Sequence, residues 1–341
     1  MDNRFDITKL QVPLIQAPMA GGPSTPALAA AVSNSGGLGF LAAGYITADR
    51  LAEDIEKTRT LTASPFGVNL FVPSPSAAKP EDIAAYREAL AADAQRFGVE
   101  LPEPRYDDDS WDEKLSVVRQ FRPAVVTFTF GAPDHADVST LQEAGIAVGI
   151  TVTTPPEANA AEASGPDFLI VQGPEAGGHR GTFNPTALPS AQPLSTLISE
   201  IRETTRVPLI AAGGVATRAD VSRLLRGHGV VAVQAGTAFL RAEEAGTKPA
   251  HAAAMTDERF QVTVVTRAFS GRYARGIENE FIRTHDPHAP FGYPEVNMLT
   301  GPIRAAAAKA GDPDYLNLWA GTGFRSALHA PAAQIVASLA P

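Results

Sequence analysis

Cysteine is absent from all 341 residues. Its absence excludes disulfides, thiolate metal centres, iron–sulfur clusters and a cysteine nucleophile together. Basic runs are missing too. The 28 Lys and Arg against 37 Asp and Glu leave a formal charge of −9, the wrong sign for nucleic acid or an anionic membrane surface. No apolar run approaches the ~20 residues that span a bilayer, and the polar start Met1-Asp-Asn-Arg-Phe-Asp has no apolar signal core. The expectation is a cytoplasmic enzyme without nucleic-acid or membrane partners; monomer and homodimer both stay open. Internal repeats and low-complexity tracts are also lacking.

What the chain does contain is an alternation of short apolar runs and longer amphipathic segments. Strands are expected at residues 12–17, 38–43, 66–72, 124–130, 147–152, 168–171, 208–212 and 230–234. Helices are expected at 25–35, 48–60, 80–97, 134–144, 155–163, 194–205 and 218–226, many of them opening at Ser, Thr or Asp as helix caps do. Continuous apolar strands between helices imply a parallel sheet covered on both faces. Eight such units fit a closed (β/α)8 TIM barrel, here assigned to residues 1–245. An acidic, proline-broken insertion at about 98–115 interrupts it, before an extra helix. Residues 246–341 form a mainly helical C-terminal extension, expected to pack over the barrel mouth as a lid.

The strand ends carry most of the chemistry. After the sixth strand comes Gln172-Gly-Pro-Glu-Ala-Gly-Gly-His-Arg-Gly181. His179 there is the proton-handling candidate, because imidazole titrates near neutral pH. Flanking Gly177 and Gly178 let backbone amides approach a flat or anionic ligand. The seventh and eighth strand ends bear Gly213, Gly214, Gly236 and Thr237, in the two loops where barrel enzymes often bind phosphate. A lone Gly-Gly is more often a turn; the pair of loops together favours a phosphate.

Asn69, Gln172 and Gln234 stand at the same rim, and amides both donate and accept, as the edge of a heterocycle requires. Flavin mononucleotide (FMN) combines such a ring with a phosphate. Residues 16–20, with Pro18, Met19 and Ala20, would lie under the ring. His285 and His288 flank Asp286, but Pro287 and Pro290 make that stretch a turn-rich loop, and no metal site is assigned.

Several segments are familiar together: Gln16-Ala-Pro-Met-Ala-Gly-Gly22, Gly36-Gly-Leu-Gly39, Gly67-Val-Asn-Leu-Phe71, the His179 loop, Ala211-Ala-Gly-Gly214, Gln234-Ala-Gly-Thr237, Ser270-Gly-Arg-Tyr-Ala-Arg-Gly276, Tyr293-Pro294, Asn297 and Trp319-Ala-Gly-Thr-Gly323. Over nearly its whole length the chain resembles the nitronate monooxygenases, formerly 2-nitropropane dioxygenases. The resemblance implies oxidative denitrification of alkyl nitronates, such as propionate 3-nitronate, by O2 to a carbonyl compound and nitrite, through a flavin semiquinone. It makes His179 catalytic. It carries the flavin contacts onto Asn69, Gln172, Gly177, Gly214, Gln234, Ala235, Gly236 and Thr237, faces Met19 and Ala20 to the ring, and puts Tyr293 and Trp319 on the substrate pocket. Thr322 departs from the pattern, where glutamine is expected. A nitronate or nitroalkane and O2 are the implied partners. The rival reading is an FMN-dependent NAD(P)H enoyl or quinone reductase on a related barrel.

Overall fold

The computed structural model describes residues 4–341. Among them the strands are, in chain order, β1 (Leu14–Gln16), β2 (Gly39–Ala42), β3 (Phe66–Phe71), β4 (Val125–Thr129), β5 (Ala147–Val152), β6 (Phe168–Gln172), the two-residue β7 (Gly178–His179), β8 (Leu209–Ala212), β9 (Ala232–Ala235), β10 (Thr263–Thr266) and β11 (Ala274–Ile277). Eight of them form one parallel sheet in the order β1-β9-β8-β6-β5-β4-β3-β2. A bridge between Ile15 and Leu38 closes it, with Gln16 N and Leu38 N each donating across the seam at 3.0 Å. The expected strands are all present, trimmed by a residue or two at several ends.

The barrel interior is filled by large side chains set against glycines. A Cβ on Gly67 would lie 2.2 Å from the Phe40 ring, and one on Gly149 2.2 Å from the Phe168 ring. A second apolar layer, including Leu14, Val126, Val148, Leu169 and Val233, lies between strands and helices.

The helices are α1 (Pro26–Asn34), α2 (Ala48–Leu61), α3 (Pro80–Ala89), α4 (Ala91–Phe97), α5 (Trp111–Phe121), α6 (His135–Glu143), α7 (Pro155–Ala163), α8 (Leu194–Thr204), α9 (Arg218–Gly227), α10 (Pro249–Ala254), α11 (Glu280–His285), α12 (Glu295–Ala310) and α13 (Ala332–Leu339). Thr25, Thr47, Thr154 and Thr217 cap their helices by side chain, and Thr217 forms a full capping box with Asp220.

Two features differ from the sequence expectation. The helix expected over 80–97 is broken at Leu90 into α3 and α4. Both leave the barrel: Ile83, Tyr86 and Leu90 share a core with Phe269, Phe281 and Val296 of the extension. Tyr86 Oη donates to Ala268 O at 2.6 Å, and His285 Nε2 lies 2.6 Å from Asp93 Oδ2. The helix expected as an extra, α5, instead buries Leu115 and Val118 in the barrel core and is the true β3-to-β4 crossover. Each candidate has its own apolar stripe, so amphipathicity alone does not say which one the barrel takes.

The second difference lies at the C-terminus. Ile335, Val336 and Leu339 of α13 belong to the barrel core, between α1 and α9. The last helix therefore completes the helical ring, and residues 237–331 are threaded between β9 and its helix.

Candidate active site

The barrel's C-terminal strand ends open into a cavity of about 380 Å³. Pro18, Met19 and Ala20 after β1, Asn69 on β3, Gln172 ending β6, and Gly177, Gly178 and His179 beyond it all line this space. So do Gly213 and Gly214 after β8, Gln234 and Ala235 on β9, and the following Gly236 and Thr237. Trp319 joins them from the extension. Tyr293 does not line it; this residue faces a neighbouring cavity of about 340 Å³, which shares Tyr45, Phe71, Phe130 and Asn297 with the first.

The extension holds His179 in place. Residues 178–179 form β7, an antiparallel edge paired with β11, with His179 opposite Ala274. Gln172 fastens the same loop from the barrel: its Nε2 donates to His179 O at 3.1 Å and its Oε1 accepts from Gly181 N at 2.9 Å. Gln172 is thus a loop anchor as well as a wall of the cavity. Arg180, adjacent to His179, points away from the cavity; buried, it donates to the carbonyls of Gly173 and Gln172.

Around the imidazole stand the rings of Phe130, Tyr293 and Trp319, with centroids 5.7, 5.7 and 5.6 Å away. The Arg272 guanidinium lies 3.9 Å over the Phe130 ring. His179 Nε2 is 2.8 Å from Ser270 Oγ, and that hydroxyl donates onward to Arg272 O at 3.1 Å. A hydroxyl has one proton. With it committed to Arg272, the hydrogen-bond network assigns the imidazole proton to Nε2 and leaves Nδ1 a lone pair. Burial, with repulsion from Arg272 and Arg304, pushes His179 down to about 3, so the imidazole is neutral near pH 7.

The glycines have distinct reasons to be glycine. Gly213 and Gly214 adopt φ of 107° and 69°, which L side chains resist. A Cβ on Gly177 would meet the backbone of Ala320 and Gly321 at 2.4 Å. The polar groups are unevenly satisfied. Asn69 Nδ2 is tied to Thr127 and Thr129, whereas the buried Gln234 Oε1 and Glu175 Oε2 have no partner. Glu175, within the His179 loop, also lines the cavity. Thr322 is held by its backbone, donating to Glu175 O at 3.1 Å.

Sequence reasoning missed Tyr45, Phe130, Ser270, Arg272, Lys248, His251 and Arg304. Ser270 and Arg272 lie in the motif Ser270-Gly-Arg-Tyr, so their positions carried a signal and their roles did not. Tyr45 and Phe130, with φ of 70° and 80°, follow strands β2 and β4 in the left-handed region that aromatic residues rarely enter. Nothing in their residue type announces that.

Fold and site together define a (β/α)8-barrel protein of the enzyme type, with His179 and His251 on a glycine-walled cavity at the C-terminal strand ends. The nitronate monooxygenase family model matches residues 3–341. A probable nitronate monooxygenase of Bacillus subtilis (strain 168) is 37% identical over 326 residues, covering 95% of this chain and 92% of the relative. A nitroalkane oxidase structure from Streptomyces ansochromogenes is 44% identical, covers 98% of this chain and 96% of its own, and superposes with a TM-score of 0.93. FabK from Thermotoga maritima is more distant, at 26% identity, 98% and 93% coverage, and a TM-score of 0.74. The chain belongs to the nitronate monooxygenase family.

Proposed function

We propose that the protein oxidises alkyl nitronates, propionate 3-nitronate among them, with O2 to a carbonyl compound and nitrite, using FMN held in the barrel-mouth cavity. The observation that carries this reading is the convergence of His179, the left-handed Gly213–Gly214 turn and the unpartnered Gln234 Oε1 on one cavity. The residues fit a flavin. Gly213, Gly214, Gly236 and Thr237 would take the phosphate through backbone amides. Gln234 and Asn69 would meet the ring edge, with Pro18, Met19 and Ala20 beneath it. Ala235, Gln172, Gly177 and Gly178 complete the walls. Bound flavin supplies the electron acceptor that dioxygen regenerates.

His179 does the proton work. In a neutral nitroalkane its Nδ1 lone pair takes the α-proton, giving imidazolium and nitronate side by side. With a preformed nitronate no proton is removed, and Arg272, whose charge is felt at His179, favours the anion's approach. Trp319 and Tyr293 would wall the substrate beside the imidazole.

The test is anaerobic mixing of the flavin-loaded protein with propionate 3-nitronate, followed by air. Loss of the oxidised flavin spectrum and then nitrite release on admitting O2 is the expected result. No change with nitronate but full bleaching by NADH or NADPH would assign the protein to the enoyl or quinone reductases.

A further inference from the structure

Three basic side chains line the cavity from the extension, and the fold does not explain them. Lys248 precedes α10, His251 lies on it, and Arg304 comes from α12. Arg304 donates only to neutral acceptors: Asn297 O at 2.6 Å, Asn297 Oδ1 at 2.9 Å and Thr300 Oγ1 at 3.1 Å. Among the described residues neither Lys248 nor Arg304 forms an ion pair. His251 is buried, and its Nε2 has no partner.

The cavity's carboxylate does not answer them. Glu175 packs where a side chain on Gly214 would point, at 3.2 Å, and it is Arg180 and Arg275 that feel its charge. The Arg304 charge instead reaches Lys248 and His179, and burial pulls both Arg304 and Lys248 below their ordinary range. Like charges held near one another without a counter-ion repel, and an arriving anion relieves that repulsion.

We propose that Arg304 and Lys248, with His251 beside them, form an anion subsite. It receives a carboxylate carried by the substrate at the end remote from its nitro group. The inference rests on the function proposed above and sharpens it. The preferred substrates are nitronates with a second negative charge, and Arg304 and Lys248 set that preference. In the functional reading above, the flavin phosphate would be taken by the glycine turns, where Gly214 lies against Glu175.

The experiment uses the flavin-loaded enzyme and two nitronates of equal length: propionate 3-nitronate, and the nitronate of 1-nitropropane with a methyl group in the carboxylate's place. Binding is measured alongside by titrating succinate, whose second carboxylate stands in for the nitronate group, and butyrate, which lacks one charge. A charge-assisted pair predicts a preference of roughly 10- to 100-fold in kcat/KM for the carboxylated substrate, expressed mainly in KM, and tighter binding of succinate than of butyrate. Arg304→Met and Lys248→Met should each erase most of that ratio, and Arg304→Lys should restore part of it, with flavin content unchanged.

A wild-type ratio near one, or a ratio that survives both substitutions, overturns the subsite. Loss of flavin from the variants also overturns it, by assigning the cations to the cofactor. Turnover of neither nitronate with Arg304-dependent succinate binding sinks the functional reading and leaves the subsite standing. Neither turnover nor succinate binding removes both.

Discussion

Ser270 Oγ lies 2.8 Å from His179 Nε2, although 91 residues separate them. The contact exists because β11 pairs with β7 and brings the extension against the sixth-strand loop. Its consequence is chemical: with Ser270 donating to Arg272 O, the network assigns the imidazole proton to Nε2, the nitrogen facing the hydroxyl. Ser270→Ala should lower kcat by roughly 3- to 10-fold, the worth of one neutral hydrogen bond. Flavin content and fold should be kept. Steady-state kinetics checks it, and an unchanged kcat would mean that the hydroxyl does not set the tautomer.

The two cavity histidines are both held below the ordinary range, His179 at about 3 and His251 at about 4, chiefly by burial. Such a group is neutral when folded and protonated when unfolded between about 6.5 and its folded value. The unfolded chain then binds more protons, so this contribution to stability is whole above pH ~6.5 and is lost as the pH falls toward 4 and 3. Thermal melts should show Tm dropping across that window, and His251→Leu should flatten the drop. Parallel curves for the two proteins would refute the assignment.

The same depression governs activity. With a neutral nitroalkane, kcat/KM should show no loss of the His179 base between pH 8 and 5. His179→Asn should retain flavin and lose about 10²- to 10⁴-fold in turnover. An acid limb near pH 6.5 that vanishes in His179→Asn would show an ordinary, solvated histidine instead.

The barrel was legible in the sequence for a physical reason. Parallel strands covered on both faces are written as unbroken apolar runs such as Phe168-Leu-Ile-Val171, and helices between them carry Thr caps. The cavity floor was legible because positive-φ turns demand glycine, as at Gly213 and Gly214. The partners of the extension were not. β10 and β11 are four residues each, and Arg272 and Arg275 look like surface cations until they are seen buried or half-buried beneath the loop. The exchange of roles between α3–α4 and α5 depended on a core shared with residues nearly 200 positions later, which local pattern does not encode.

Gly177 should prove intolerant of even one methyl group. A Cβ there would overlap the Ala320–Gly321 backbone, which has no side chain to swing aside. The segment is also tied by Gly321 N to Thr237 Oγ1 at 2.9 Å, next to the expected phosphate turn. Gly177→Ala should therefore cost roughly 1–3 kcal/mol of stability and weaken flavin binding at least tenfold. Flavin titration with a parallel melt tests both. Normal affinity would show that the extension can shift without disturbing the cofactor cradle.

The acidic insertion makes the last prediction. Asp109 Oδ1 accepts the backbone N–H of Tyr45 at 2.9 Å, and its Oδ2 pairs with Lys114 Nζ at 2.7 Å. Tyr45 is held there at φ 70°, and its hydroxyl meets that of Tyr293 at 3.2 Å, where the two cavities adjoin. Burial outweighs attraction within the pair, since it raises the Asp109 carboxyl and lowers the Lys114 ammonium. Removing one partner should then hurt more than removing both charges. Lys114→Met should cost about 2–3 kcal/mol, below the 3–5 of a fully buried pair because Asp109 keeps some water contact. Adding Asp109→Asn should recover most of the loss, for Asn tolerates the left-handed backbone and still accepts from Tyr45. Urea unfolding of the wild type, Lys114→Met, Asp109→Asn and the double variant closes the cycle. A double variant no more stable than Lys114→Met alone would mean that Lys114 acts through packing rather than charge.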